Sequence, residues 1–160
     1  MRRLHDPMHF RGGETVIDVG SYVGIDLVGF LRHAPSSVSV HTFEPVQRYR
    51  TKLKQRVERF VSAANASRLH IHPFGLGRAN HTACFLVSKG AQATHEAVSS
   101  ACAAPARIVD VAAALRNFAR VDLMQINCEG CEYDLLERLL EDSGSIGVVQ
   151  SVEVQFHLDW

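Results

Sequence analysis

The chain has 160 residues, 46% of them hydrophobic, which fits one globular domain with a substantial core. Its 17 Lys and Arg balance 17 Asp and Glu, so neither a disordered chain nor a dedicated nucleic-acid binder is expected. No apolar run approaches the roughly 20 residues that span a bilayer, and the opening MRRLHDPMHFRGG lacks the apolar segment of a secretory leader, so a cytoplasmic protein is expected.

From Val16 onward strand and helix patterns alternate, which predicts an α/β domain of βαβ units around a mostly parallel sheet. One domain covers 1–160, with its core over 15–157 and an N-terminal extension over 1–14. Val16 to Val19 reads as a buried strand, and Val23, Leu27, Val28 and Leu31 follow at helical spacing. Ser37 to Phe43 is a second strand. A longer helix beyond Pro45 carries Tyr49, Leu53, Val57 and Val61 on one face and six Arg and Lys between Arg48 and Arg59 on the other. That basic face reads as a solvated surface. Leu69 to Phe74 is a third strand, stopping at Gly75-Leu76-Gly77, and Ala83 to Val87 forms a hairpin-like excursion. Ser88 to Ala106 reads as a loop, Val109 to Phe118 as a helix capped by Asp110, and Val121 to Ile126 as a strand. Tyr133 to Leu140 is a helix and Ile146 to Phe156 the last strand. Cys84, Cys102, Cys128 and Cys131 are too few and too scattered for a disulfide framework, and reduced thiols are expected.

The stretch VIDVGSYVG brings a β-branched run to Asp18 and then a turn between Gly20 and Gly24. A dinucleotide fingerprint needs G-x-G-x-x-G, so that pyrophosphate can rest on the helix N-terminus. Here Ser21 and Tyr22 stand where the second glycine would be. Asp18 is a poor neighbour for pyrophosphate and a good one for an ammonium group. Glu44 in HTFEPV, followed by Pro45, ends the next strand, where a carboxylate can accept both hydroxyls of a ribose. Phe74, Gly75 and Leu76 offer apolar flanks to a purine. A cofactor joining an amino acid to a nucleoside without phosphates fits these residues, and S-adenosylmethionine is such a molecule. A nicotinamide-dependent oxidoreductase fits them less well.

These segments, with DLMQINCEGCEYDLLERLL and the terminal VEVQFH, resemble in order the FkbM-type S-adenosylmethionine-dependent methyltransferases, over Thr15 to His157. The resemblance implies a doubly wound, Rossmann-like methyltransferase sheet and methyl transfer, commonly to a hydroxyl oxygen of a small molecule or glycan. It implies that Asp18, Gly20, Ser21, Tyr22 and Gly24 line the methionine side, Glu44 and Pro45 the ribose, and Phe74 to Leu76 the adenine. Asn127, Glu129 and Glu132 are then at the catalytic mouth. The family signature Asp-x-Glu-Gly-x-Glu, preceded by Lys, departs here to Gln125 and Asn127; asparagine cannot supply a base or a charge. The sheet also lacks its customary last strands, which leaves an edge to be covered by a missing continuation or by a second copy in a dimer.

Further candidates stand apart from that signature. Cys128 and Cys131 form a C-x-x-C, a weak pointer to redox or zinc chemistry, and no metal site is expected. His70 and His72 share a strand face and read as ordinary polar positions. His157 shares a face with Glu153 and Gln155 and is a candidate general base for a substrate hydroxyl. A catalytically degenerate, methyltransferase-like binding module is the competing reading, supported by Asn127.

Overall fold

In a computed structural model, residues 10–85, 102 and 105–157 are described. The central sheet has five strands: β1 (Thr15–Val19), β2 (Ser39–Phe43), β3 (Leu69–His72), β7 (Leu123–Ile126) and β8 (Val152–Val154). Their order is β3-β2-β1-β7-β8, and every pairing is parallel, so the chain winds outward from β1 in both directions. β1 is covered on both faces, which is why its sequence is nearly continuously apolar. Period-two alternation sends Val16 into a core with α1 (Ile25–His33) and α2 (Gln47–Phe60), where Leu27, Leu31, Leu53 and Val57 pack. Ile17 and Val19 face the other core, built on α4 (Val111–Leu115) and α5 (Glu132–Glu141) through Leu115, Leu135 and Leu139.

The predicted helical face of α2 is the one buried, through Tyr49, Leu53 and Val57. Arg68, after the short α3 (Ala63–Ala66), buries its guanidinium against the carbonyls of Leu31, Ala34, Pro35 and Val38. It satisfies orphan acceptors at the end of α1 that no glycine cap covers.

Several expectations are corrected. The third strand ends at His72, and Gly75–Gly77 is itself a strand, β4, in a second sheet of order β4-β6-β5. There β5 (His81–Cys84), overlapping the excursion expected at Ala83 to Val87, runs antiparallel to β6 (Pro105–Asp110), a segment expected to be loop and helix. The alternating burial of β6 at Ala106, Ile108 and Val109 is hidden in the sequence by the Ala- and Ser-rich run before it. Asp110 does cap α4, accepting from Ala112 N at 2.8 Å, but it also closes the strand. Most of the expected loop, residues 88–101 and 103–104, lies outside the described residues, as does the end of the expected excursion, residues 86–87. The expected last strand, Ile146 to Phe156, shortens to the three-residue β8, and α6 (Ser143–Ile146), capped by Asp142 on Ser145 N, precedes it. β8 is an outermost strand of the central sheet.

The reduced-thiol expectation is also overturned. Cys84 pairs with Cys102 and Cys128 with Cys131, with Cα separations of 5.6 and 5.5 Å. The β5–β6 hairpin sets Cys84 opposite Pro105 and so brings Cys102 within reach, while a tight turn does the same for the C-x-x-C. Among the described residues no helix is long and apolar enough to cross a membrane.

Candidate functional site

The carboxyl ends of β1, β2 and β7 meet at one edge of the sheet, and a cavity of about 450 Å³ opens there. In open parallel sheets this is where ligands bind, because strand ends and helix starts leave a crevice. Gly20 forms its floor. It takes φ +88°, and a Cβ there would stand 2.2 Å from the Asn127 carbonyl oxygen, so β1 and β7 approach too closely for any side chain. Tyr22, also in the left-handed region at φ 52°, brings its N–H to Glu44.

Glu44 is the best-defined polar group in the wall. Its Oε2 accepts from Tyr22 N at 2.9 Å and its Oε1 from Val46 N at 2.8 Å, while Arg50 donates to the Glu44 and Pro45 carbonyls. The carboxyl is 4% exposed, and burial pushes its pKa up to about 7 against those two bonds. Each oxygen keeps lone-pair capacity toward the cavity. Pro45, Gly75 and Leu76 line the same space, so these four expected cofactor residues are brought together.

Other expected residues are not. Asp18 does not line the cavity; it is buried inside the sheet, accepts from Thr42 Oγ1 at 3.1 Å, and burial raises its pKa to about 7. Gly24 starts α1 in the left-handed region and packs on Leu53, a structural reason for glycine there. Ser21 lies in the turn with a buried, unpartnered Oγ and does not line the cavity. Phe74 borders a separate space, its ring 5.5 Å from that of Phe43 and under the Arg107 guanidinium. His41 stacks on His70 and hydrogen-bonds His72 at 3.1 Å, and burial holds its pKa down to about 4. No group of three His, Cys, Asp or Glu among the described residues could hold a metal ion.

At the opposite wall, Asn127, Glu129 and His157 all line the cavity. Asn127 Oδ1 is buried without a hydrogen-bond partner, an acceptor waiting for a donor. His157 Nδ1 donates to Glu132 Oε1 at 2.9 Å, which fixes the tautomer. Nε2 lies 3.3 Å from the Gln155 side-chain nitrogen and 3.4 Å from Glu129 Oε1. Glu132 itself is fully buried and also takes the N–H groups of Cys128 and Gly130 at 3.0 and 2.9 Å. It braces the wall from behind and is not at the mouth. Tyr49, Phe85 and Ile108 also line the cavity and were not expected there. Tyr49 is legible only as a core position of α2, Phe85 follows β5 within the expected Ala83 to Val87 excursion, and Ile108 belongs to β6, a strand the sequence pattern does not reveal.

A second cavity of about 360 Å³ shares Leu76, Phe85, Ile108, Cys128, Glu129 and Cys131 with the first. Its outer wall is more polar, with Arg78, His81 and Asp134.

No family model matches the sequence, and comparison with curated proteins finds no match. Among solved structures, the crystal structure of the methyltransferase FkbM from Methylobacillus flagellatus KT is similar, with a TM-score of 0.57 and 17% identity. The likeness covers 81% of this chain and 29% of that one, so the chain spans less than a third of the solved protein's length. At that identity the likeness speaks for the fold: the chain resembles an FkbM-type methyltransferase in its doubly wound, Rossmann-like α/β sheet.

Proposed function

We propose that the chain is an S-adenosylmethionine-dependent methyltransferase acting on a hydroxyl of a small molecule or glycan. The observation that carries this reading is Glu44, a buried carboxylate at the end of β2, braced by two backbone N–H groups and facing the Gly20 floor. Such a group is suited to accept both hydroxyls of a ribose. Asn127 Oδ1, buried and unpaired, is an acceptor for the ammonium of the amino-acid part. Pro45, Leu76 and Ile108 supply apolar walls for the purine and exclude water from it.

S-adenosylmethionine, when bound, supplies a sulfonium-activated methyl carbon open to in-line displacement. The chain's task is mainly to position an acceptor oxygen. His157 Nε2 takes the proton of that hydroxyl as the oxygen attacks, and Glu132 stabilises the imidazolium through Nδ1–H. The acceptor enters through the second cavity, which meets the first at Glu129.

Calorimetric titration with S-adenosylmethionine and with NAD tests the reading. Binding of NAD alone would overturn it. A second reading, a module that binds the cofactor without turnover, is favoured by the amide at Asn127 where the family pattern has a carboxylate. Binding without methyl transfer to any hydroxylated substrate pool, with turnover gained by Asn127→Asp, would establish that version.

A further inference from the structure

The Cys128–Cys131 bridge closes a ring between the end of β7 and the start of α5, and both cysteines wall both cavities. Neither is sealed from solvent. Inside the ring, Glu129 sits at φ 55° and Gly130 at φ 113°, two successive left-handed residues. For glutamate that conformation is held against its preference. Three constraints hold it: the disulfide, and the two N–H groups of Cys128 and Gly130 bonded to Glu132.

We propose that Cys128–Cys131 is a thiol–disulfide exchange site, opened by a small uncharged dithiol entering through the second cavity, and that its opening loosens the turn carrying Glu129. The reductant's thiolate attacks Sγ of Cys128. The Cys128–Cys131 bond breaks, and its electron pair leaves on Sγ of Cys131, the N-cap of α5, where the helix dipole favours negative charge. That sulfur takes the proton the first thiol released. The reductant's second thiol, deprotonated in turn, attacks the mixed disulfide and frees Cys128, which is protonated. Two electrons and two protons pass from the dithiol, which ends as a disulfide. The carboxylates of Glu129 and Asp134, which line the second cavity, disfavour a reductant that carries carboxylates of its own and so favour a dithiol whose attacking thiolate is its sole charge. Opening the ring removes the covalent restraint on a carboxylate 3.4 Å from His157. Where the cofactor reading of the previous section holds, the redox state then also sets cofactor affinity.

The test uses the full chain and a C84S/C102S variant, which removes the other bridge; neither Cys84 nor Cys102 lines either cavity. Dithiothreitol without denaturant is expected to expose two alkylatable thiols, mapped to Cys128 and Cys131. Amide hydrogen exchange at 128–131 is expected to quicken on reduction, and S-adenosylmethionine affinity to change by about fivefold or more. Peptide mapping of the unmodified chain assigns the thiols if the variant fails to fold. Thiols that alkylate before any reductant is added, a bridge that opens only after unfolding, or unchanged amide exchange would each overturn the proposal. Should S-adenosylmethionine bind in neither redox state while alkylation and exchange behave as expected, the exchange site stands and the cofactor reading fails.

Discussion

His157 Nδ1 lies 2.9 Å from Oε1 of Glu132, a carboxylate with no solvent exposure that also ties the N–H groups of Cys128 and Gly130. Orientation of the imidazole and the shape of the turn thus depend on one buried side chain. Glu132→Gln places an amide NH2 against groups that donate, so unfolding in denaturant should show a loss of about 1–3 kcal/mol. His157→Gln leaves both turn bonds in place and should lower stability far less. Its effect falls on methyl transfer, with kcat down roughly 10²-fold and cofactor affinity little changed. Equal stability losses in the two variants would contradict this division.

The role proposed for Glu44 ties binding to pH. Its carboxyl, raised to about 7 by burial, is half protonated near neutrality, and only the ionised form offers both oxygens as acceptors. Affinity for S-adenosylmethionine should therefore rise as pH goes from about 6 to about 8. Glu44→Gln should lower affinity about 10- to 100-fold and flatten that dependence. Titration calorimetry at several pH values reads both effects; a pH-independent affinity would count against the carboxylate's role.

Asp18 gives the stability counterpart. Its pKa lies near 3.8 unfolded and about 7 folded, so between those values the native state holds the extra proton. Stability contributed by this group is full below pH 3.8, falls as pH rises toward 7 and stays low above it, because a buried carboxylate must then be ionised. Asn in its place keeps an acceptor for Thr42 and carries no charge. Asp18→Asn should raise Tm by about 2–4 °C at pH 8, and the gain should vanish toward pH 4. Thermal melts at the two pH values decide it.

Gly20→Ala combines a forbidden backbone angle with a Cβ 2.2 Å from a backbone oxygen of β7 that cannot give way. A loss of more than about 2 kcal/mol is expected in urea unfolding, together with loss of cofactor binding. A folded variant of unchanged stability would mean that β1 and β7 part more readily than their packing indicates.

The central sheet and its crevice are legible in the sequence because they rest on local patterns. The apolar run before Gly20, the helical spacing through Leu53 and the acid after Phe43 each sit where the fold needs them. Glu44, Asn127 and His157 reach one cavity for that reason. Asp18 and Gly24 carry equally strong local signals yet do not line the cavity, since sequence spacing does not tell whether a side chain turns into the sheet or out of it. Two strands of the second sheet are hidden, because β4 is two glycines around one leucine and β6 follows an Ala- and Ser-rich run. Glu132 and the paired cysteines depend on contacts across turns, where three-dimensional closure decides partners that a linear pattern leaves open.

The pairing of β1 with β7 sets the order in which this protein can assemble. Asp18 lies beside Gln125, and Thr15 N–H donates to Asp122 across 107 residues of chain. A nascent chain that has already made β1, α1 and β2 still has an unzipped β1 edge until β7 has been synthesised. Loop closure over that span makes this pairing slow relative to helix growth. Until then the backbone groups of β1 that face β7 stay unpaired, the kind of open strand edge a chaperone shields.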